Sequence, residues 1–108
     1  MNILSNNELS EICNHLGKSS PKNISQIYGG NIHQSWRLEF KDSSYFIKKN
    51  IKAKKFLKFE EHCLNDLRRF INYENLIIPE VIKYFEINNS EILIMEWIDM
   101  NNKDHKKL

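Results

Sequence analysis

The sequence predicts an α+β fold in which a five-stranded antiparallel sheet carries one long helix and a shorter N-terminal one. Three observations lead there. Apolar residues recur at helical spacing in two segments and alternate in the stretches between them. Turn-forming residues at Gly29-Gly30, Lys41-Asp42-Ser43-Ser44 and Asn88-Asn89-Ser90 separate runs of strand length. One run, Ile92-Leu93-Ile94-Met95, is apolar on both faces, as a covered or central strand must be.

Taken in order, Ser5 with Glu8 three residues later forms a capping box, and Leu9, Ile12, Cys13 and Leu16 then mark an amphipathic helix that Gly17 closes. Ile24 to Tyr28 and Asn31 to Phe40 read as strands joined at Gly29-Gly30, and Ile32, Gln34, Trp36, Leu38 and Phe40 share one face of the second. Tyr45 to Asn50 makes a third strand, completing a meander. A longer helix is expected from Ala53 to Tyr73, with Phe56, Phe59, Cys63, Leu64, Leu67, Phe70 and Ile71 on its buried side. After Pro79, Glu80 to Ile87 and Glu91 to Ile98 form a second hairpin, and Asp99 to Leu108 completes no element.

At 108 residues with 41% hydrophobic content the chain is expected to form a single domain, residues 1–108, with a real core. Three Gly, two Pro and 28% charged residues argue against disorder and low-complexity linkers. No apolar run approaches the roughly 20 residues of a membrane helix, and Met1 to Ser10 lacks a signal-peptide pattern, so a cytoplasmic location away from membranes is expected. Cys13 and Cys63 both lie on apolar helical stripes, where a reduced thiol acts as a small hydrophobe. The net charge of +2 identifies no nucleic-acid or membrane partner. Abundant Asn, Ile and Lys are what AT-rich codons supply, which discounts surface Lys and Asn as functional signals.

Glu60 is the most informative residue. It lies four after Phe56 and four before Leu64, inside the apolar stripe of the long helix, where a carboxylate needs a cation. Lys48, on the third strand and on the same face as Phe46, is the candidate partner; the plain alternative is a Glu60 that reaches solvent at the helix edge and a solvated Lys48. Gly29-Gly30 allows a backbone close enough to cradle phosphate oxygens, and equally fits an ordinary hairpin turn. Ile92 to Ile98 offers backbone at the end of a buried strand, a docking place for a flat base or simply core. Lys48, Lys49, Lys52, Lys54, Lys55 and Lys58 form either a phosphate or nucleic-acid patch or a solvated face. His15, His33, His62 and His105 show no metal-ligand spacing, and no G-x-S-x-G, Walker A or H-E-x-x-H is present.

The order of a Gly turn between two strands, a Lys on the third, a helix with an inward Glu and two further strands is that of a protein-kinase-like N-terminal lobe. Gly29 to Leu38, Tyr45-Phe46-Ile47-Lys48-Lys49-Asn50, Phe59-Glu60 with Leu64, Ile78-Pro79-Glu80-Val81 and Leu93 to Asp99 resemble the fructosamine (ketosamine) kinase family, which is related to aminoglycoside phosphotransferases. The resemblance implies phosphorylation of the sugar carbon-3 hydroxyl of ketosamines on glycated amines, with ATP and Mg2+. It implies that Lys48 holds the ATP phosphates and pairs with Glu60, that Gly29, Gly30 and Asn31 lie in the loop over the phosphates, and that Met95, Glu96, Trp97 and Ile98 form the adenine hinge. Asn31 departs from the Asp or Cys of many members. The catalytic and metal-binding Asp residues belong to the family's second lobe, so no catalytic residue is expected within this sequence and the chain alone is expected to be inactive. A hinge without that lobe is expected to expose Met95, Trp97, Ile98 and Met100 and to promote self-association. A non-catalytic binding or regulatory module, or a basic nucleic-acid-binding domain, is the alternative reading.

Overall fold

A computed structural model describes residues 4–27, 34–70 and 78–98. The first helix, α1, is Asn6–Leu16, and both halves of its capping box are formed: the Ser5 hydroxyl accepts from the Glu8 N–H at 3.1 Å, and the Glu8 carboxylate accepts from the Ser5 N–H at 2.9 Å. Gly17 ends it in the left-handed region at φ 66°, a conformation that costs glycine nothing, and the Lys18 N–H closes the turn on the Cys13 carbonyl.

Five strands follow as β1 (Asn23–Ile27), β2 (Gln34–Glu39), β3 (Ser44–Ile51), β4 (Val81–Ile87) and β5 (Ser90–Glu96), in the spatial order β1-β2-β3-β5-β4, all antiparallel. The strand that is apolar on both faces, β5, is therefore internal, between β3 and β4. Helix α2 (Phe56–Phe70) leaves β3 through a 3-10 turn at Lys52–Lys54. The β4–β5 turn needs only Asn88 and Asn89, since Ser90 already pairs with Ile87, and Asn88 takes φ 54°.

The sheet has a core on each face, as the two-residue period of its strands requires. Beneath α1, Ile12 and Cys13 pack with Trp36, Leu38, Phe40, Ile47, Ile92 and Ile94. Beneath α2, Leu57, Leu93 and Met95 pack with Phe46, Leu64, Val81 and Tyr84. Lys49 points toward α1, where its ammonium meets the buried Glu8 carboxylate at 2.9 Å. Burial acts to raise the Glu8 carboxyl, but the Ser5 N–H and the Lys49 ammonium outweigh it and hold the group below its ordinary value.

Several expectations are corrected. Helix α2 starts at Phe56 and not Ala53, because Lys55 turns into the left-handed region at φ 58° and the first free N–H groups of the helix meet an acceptor on β5. Its expected end at Tyr73, Tyr28 of the first strand, residues 31–33 of the second and the segment from Asp99 lie outside the described residues. The buried side of α2 is also misplaced by periodicity. Leu57 is fully buried, whereas Phe59 is 71% exposed and Phe56, Cys63 and Leu67 also face solvent. The helix is rotated so that Leu57, Glu60 and Leu64 face the sheet, a choice made by polar anchors and not by the richest apolar arc. At the end of β5, Met95 is buried under α2 and Trp97 and Ile98 are half-buried, so the bare hinge patch is not formed by these three residues; Met100 lies outside the described residues.

Two predictions test this packing. Leu57→Ala is expected to cost about 2–4 kcal/mol in chemical denaturation and Phe59→Ala less than about 1 kcal/mol, the reverse of the ranking by residue size. Glu8→Gln is expected to cost about 1–3 kcal/mol at neutral pH. Because the folded state depresses the Glu8 carboxyl, its contribution is present above the ordinary carboxylate range and is lost as pH falls through the lower folded value. The stability gap between Glu8→Gln and the parent should therefore close in acid, as urea titrations over a pH series will read.

Candidate functional site

Of the residues singled out by sequence, Lys48 and Met95 lie on the face of the sheet that carries α2. The antiparallel register sets Lys48 of β3 beside Ser35 of β2 and Leu93 of β5, with Phe46 opposite Arg37 and Met95. Across the gap to α2 the Lys48 ammonium meets the Glu60 carboxylate at 2.5 Å, both side chains mostly shielded from water. The structure thus brings together the two residues whose pairing the inward carboxylate demanded. A lysine so engaged keeps further N–H donors for an anion on its open side.

At the end of β5, Glu96 ties back to the approach to β4: its carboxylate accepts from the Glu80 N–H at 2.9 Å, and its own N–H donates to the Glu80 carbonyl at 3.0 Å. Trp97 has two ring contacts. The Arg37 guanidinium lies 4.5 Å from its ring centroid, and the Phe46 ring stacks on it at 5.8 Å. Lys48 in turn sits 5.8 Å from the Phe46 centroid, so an aromatic and cationic ladder links the strand end to the lysine. Gly29, Gly30 and Asn31 lie outside the described residues.

Sequence reasoning missed four participants. Arg37 and Ser35 alternate on β2 with the core residues Trp36 and Leu38, and that alternation was the signal that they share the Lys48 face. Among the described residues the Ser35 hydroxyl and the Arg37 Nε are buried without a hydrogen-bond partner. Glu91, wholly buried at the start of β5, accepts from the Leu57 N–H at 2.8 Å and the Lys58 N–H at 3.2 Å. Tyr84 on β4 reaches both Glu91, at 2.9 Å, and Glu86, at 3.0 Å. Burial, and then these two carboxylates, push the Tyr84 phenol far above its ordinary value, so it remains a donor.

The lysine run is largely spoken for by carboxylates. Lys48 faces Glu60, Lys49 faces Glu8, Lys55 lies 2.9 Å from Glu86 and Lys58 3.6 Å from Glu61. That distribution, split between the two faces of the sheet and the surface of α2, is not a continuous basic patch.

The fold defines the class: a five-stranded antiparallel sheet with a packed helix whose carboxylate meets a strand lysine is a protein-kinase-like N-terminal lobe. The sequence model of the fructosamine kinase family matches residues 5–108, and the chain belongs to that family. It is 28% identical over 83 residues to an Enterococcus faecium protein assigned as a ketoamine kinase, an alignment covering 76% of this chain and 28% of that protein. Among solved structures, a protein of Haemophilus somnus 129PT assigned as a fructosamine-3-kinase superposes with a TM-score of 0.67 at 16% identity, over 84% of this chain and 30% of that one. A thermostable variant of the aminoglycoside phosphotransferase APH(4)-Ia, in complex with AMP-PNP and hygromycin B, gives 0.62 at 14% identity, over 86% of this chain and 29% of that one. The chain therefore spans under a third of the length of these relatives. Among the described residues no helix is long and apolar enough to cross a membrane.

The ladder at the strand end is testable. Arg37→Ala is expected to cost about 0.5–2 kcal/mol, and Trp97→Ala in the same background to cost less than it does alone, because the two side chains share one contact. Thermal melts of the single and double variants measure the coupling; strictly additive losses contradict the stack.

Proposed function

We propose that this chain is the ATP-holding lobe of a ketosamine-type kinase, a protein that moves the terminal phosphoryl group of ATP to a sugar hydroxyl on glycated amines or proteins. The observation that carries the reading is the Lys48–Glu60 pair in a member of the fructosamine kinase family. In phosphoryl transfer the protein contributes mainly position and charge, and a lysine fixed by a carboxylate on a packed helix is a charge with a defined location. In this reading Lys48 holds phosphate oxygens, Glu60 keeps it aimed, Gly29, Gly30 and Asn31 form the covering loop, and Met95, Glu96, Trp97 and Ile98 line the adenine. The AMP-PNP in the aminoglycoside phosphotransferase complex supports ATP as the nucleotide.

Magnesium, which the family implies, finds no group of three or more His, Cys, Asp or Glu ligands among the described residues. The role argued for residues 5–108 is nucleotide binding. The alternative of a nucleic-acid module is not favoured, since four of the six lysines that motivated it, Lys48, Lys49, Lys55 and Lys58, face carboxylates.

Calorimetric titration tests the reading. The chain is expected to bind ATP weakly, with a Kd on the order of 1 mM, because one lobe encloses only one wall of the nucleotide. Lys48→Met is expected to weaken that binding several-fold while circular dichroism stays unchanged, and to lower turnover by orders of magnitude in a protein that carries both lobes. Equal ATP affinity in Lys48→Met and the parent chain removes Lys48 from the site.

A further inference from the structure

Helix α2 lacks the local means to begin. The residue before its first turn is Lys55, whose side chain offers no oxygen to cap the free N–H groups, and the first turn contains no acidic residue. The position that Ser, Thr, Asp or Asn ordinarily fills is taken instead by a carboxylate 34 residues further along the chain. Glu91 accepts from Leu57 and Lys58, the second and third residues of the helix, and places its charge at the positive end of the helix dipole. It does so from β5, the internal strand that pairs with β3 two residues from the Lys48 register.

The acceptor is itself held. The Tyr84 hydroxyl contacts Glu91 and Glu86, Glu86 takes the Lys55 ammonium at 2.9 Å, and the Lys58 ammonium lies 4.9 Å from the Tyr84 centroid. The chain entering α2, the first turn of α2 and the β4–β5 hairpin are thereby joined into one polar cluster. Two residues after Lys58 comes Glu60, less than one turn along the same helix, about 3 Å of axial rise.

We propose that Glu91 is a positioning residue, whose capping of α2 from the sheet sets the rotation and depth at which Glu60 meets Lys48. A helix capped by its own sequence would form wherever its apolar face settled. This one completes its first turn only when seated over β5, so helix formation and delivery of Glu60 are the same event. Lobes of this class can swing the corresponding helix between arrangements, and here the cap biases it inward without nucleotide. The consequence for ATP rests on the functional reading given above; the placement of Glu60 does not.

The experiment uses the 108-residue chain and three variants. Glu91→Gln keeps the size of the side chain but replaces one acceptor oxygen with an NH2 group that faces an N–H donor. Glu91→Asp keeps the charge and shortens the reach. Glu8→Gln serves as the control, since it loosens α1 on the opposite face. Amide hydrogen exchange at Leu57 and Lys58 reads the cap, and competitive acylation of Lys48 relative to the exposed Lys83 reads the pair. Glu91→Gln is expected to accelerate exchange at both amides and to raise relative Lys48 acylation roughly three- to tenfold, as a shielded ammonium becomes accessible. Glu91→Asp should give a smaller rise, and Glu8→Gln none. Unchanged Lys48 acylation in Glu91→Gln overturns the proposal, as does an equal rise in Glu8→Gln, which would mark general loosening. Should Glu91→Gln fail to fold, Glu91→Asp carries the same two outcomes. ATP titration of the parent chain is read separately: no binding there counts against the nucleotide-lobe reading and leaves the acylation result to decide the role of Glu91.

Discussion

A carboxylate in the apolar interface between α2 and the sheet has to meet a cation, and that constraint governs the arrangement of the lobe. Glu60 is mostly shielded from water there, and leaving its charge uncompensated would be unfavourable. Lys48 of β3 meets it in the structure, and the pair holds the Glu60 side of α2 inward. Around this contact lie Phe46, two residues earlier on the same face, Trp97 stacked on Phe46, and Arg37 over Trp97. The price is visible on the outside of the helix, where Phe59 and its apolar neighbours remain in solvent.

The two faces of the sheet use the same device to different ends. On one, Glu8 of α1 meets Lys49; on the other, Glu60 of α2 meets Lys48, its immediate neighbour in sequence. Alternation along β3 sends the two lysines to opposite sides. The Glu8 pair lies inside a helix that its own capping box already terminates, so it fastens a preformed element. The Glu60 pair belongs to a helix with no cap of its own, whose first turn depends on Glu91. One helix is fixed locally, and the other is fixed by the sheet it sits on.

Membership of the fructosamine kinase family and the lobe fold give these contacts their chemical context, while the span matched is under a third of the relatives' length. The face under α2 and the end of β5 bring together a lysine paired with a carboxylate, a ladder of cations and aromatic rings, and a strand end tied by the Glu96 carboxylate.

By itself, the sequence determined the order and type of the elements, the capping box at Ser5 and Glu8, the left-handed stop at Gly17, the internal position of β5 and the pairing of Glu60 with Lys48. Each of these follows from local spacing or from the cost of an unpaired buried charge. The tertiary structure alone decided the rotation of α2 and its starting residue. Periodicity measures which arc of a helix is most apolar, and here that arc runs through Phe56, Phe59, Cys63 and Leu67, all of which face solvent. The burial of Leu57 and the capping by Glu91 depend on a strand 34 residues away. No local pattern in the helix records that partner, because the acceptor its first turn needs is carried by the sheet.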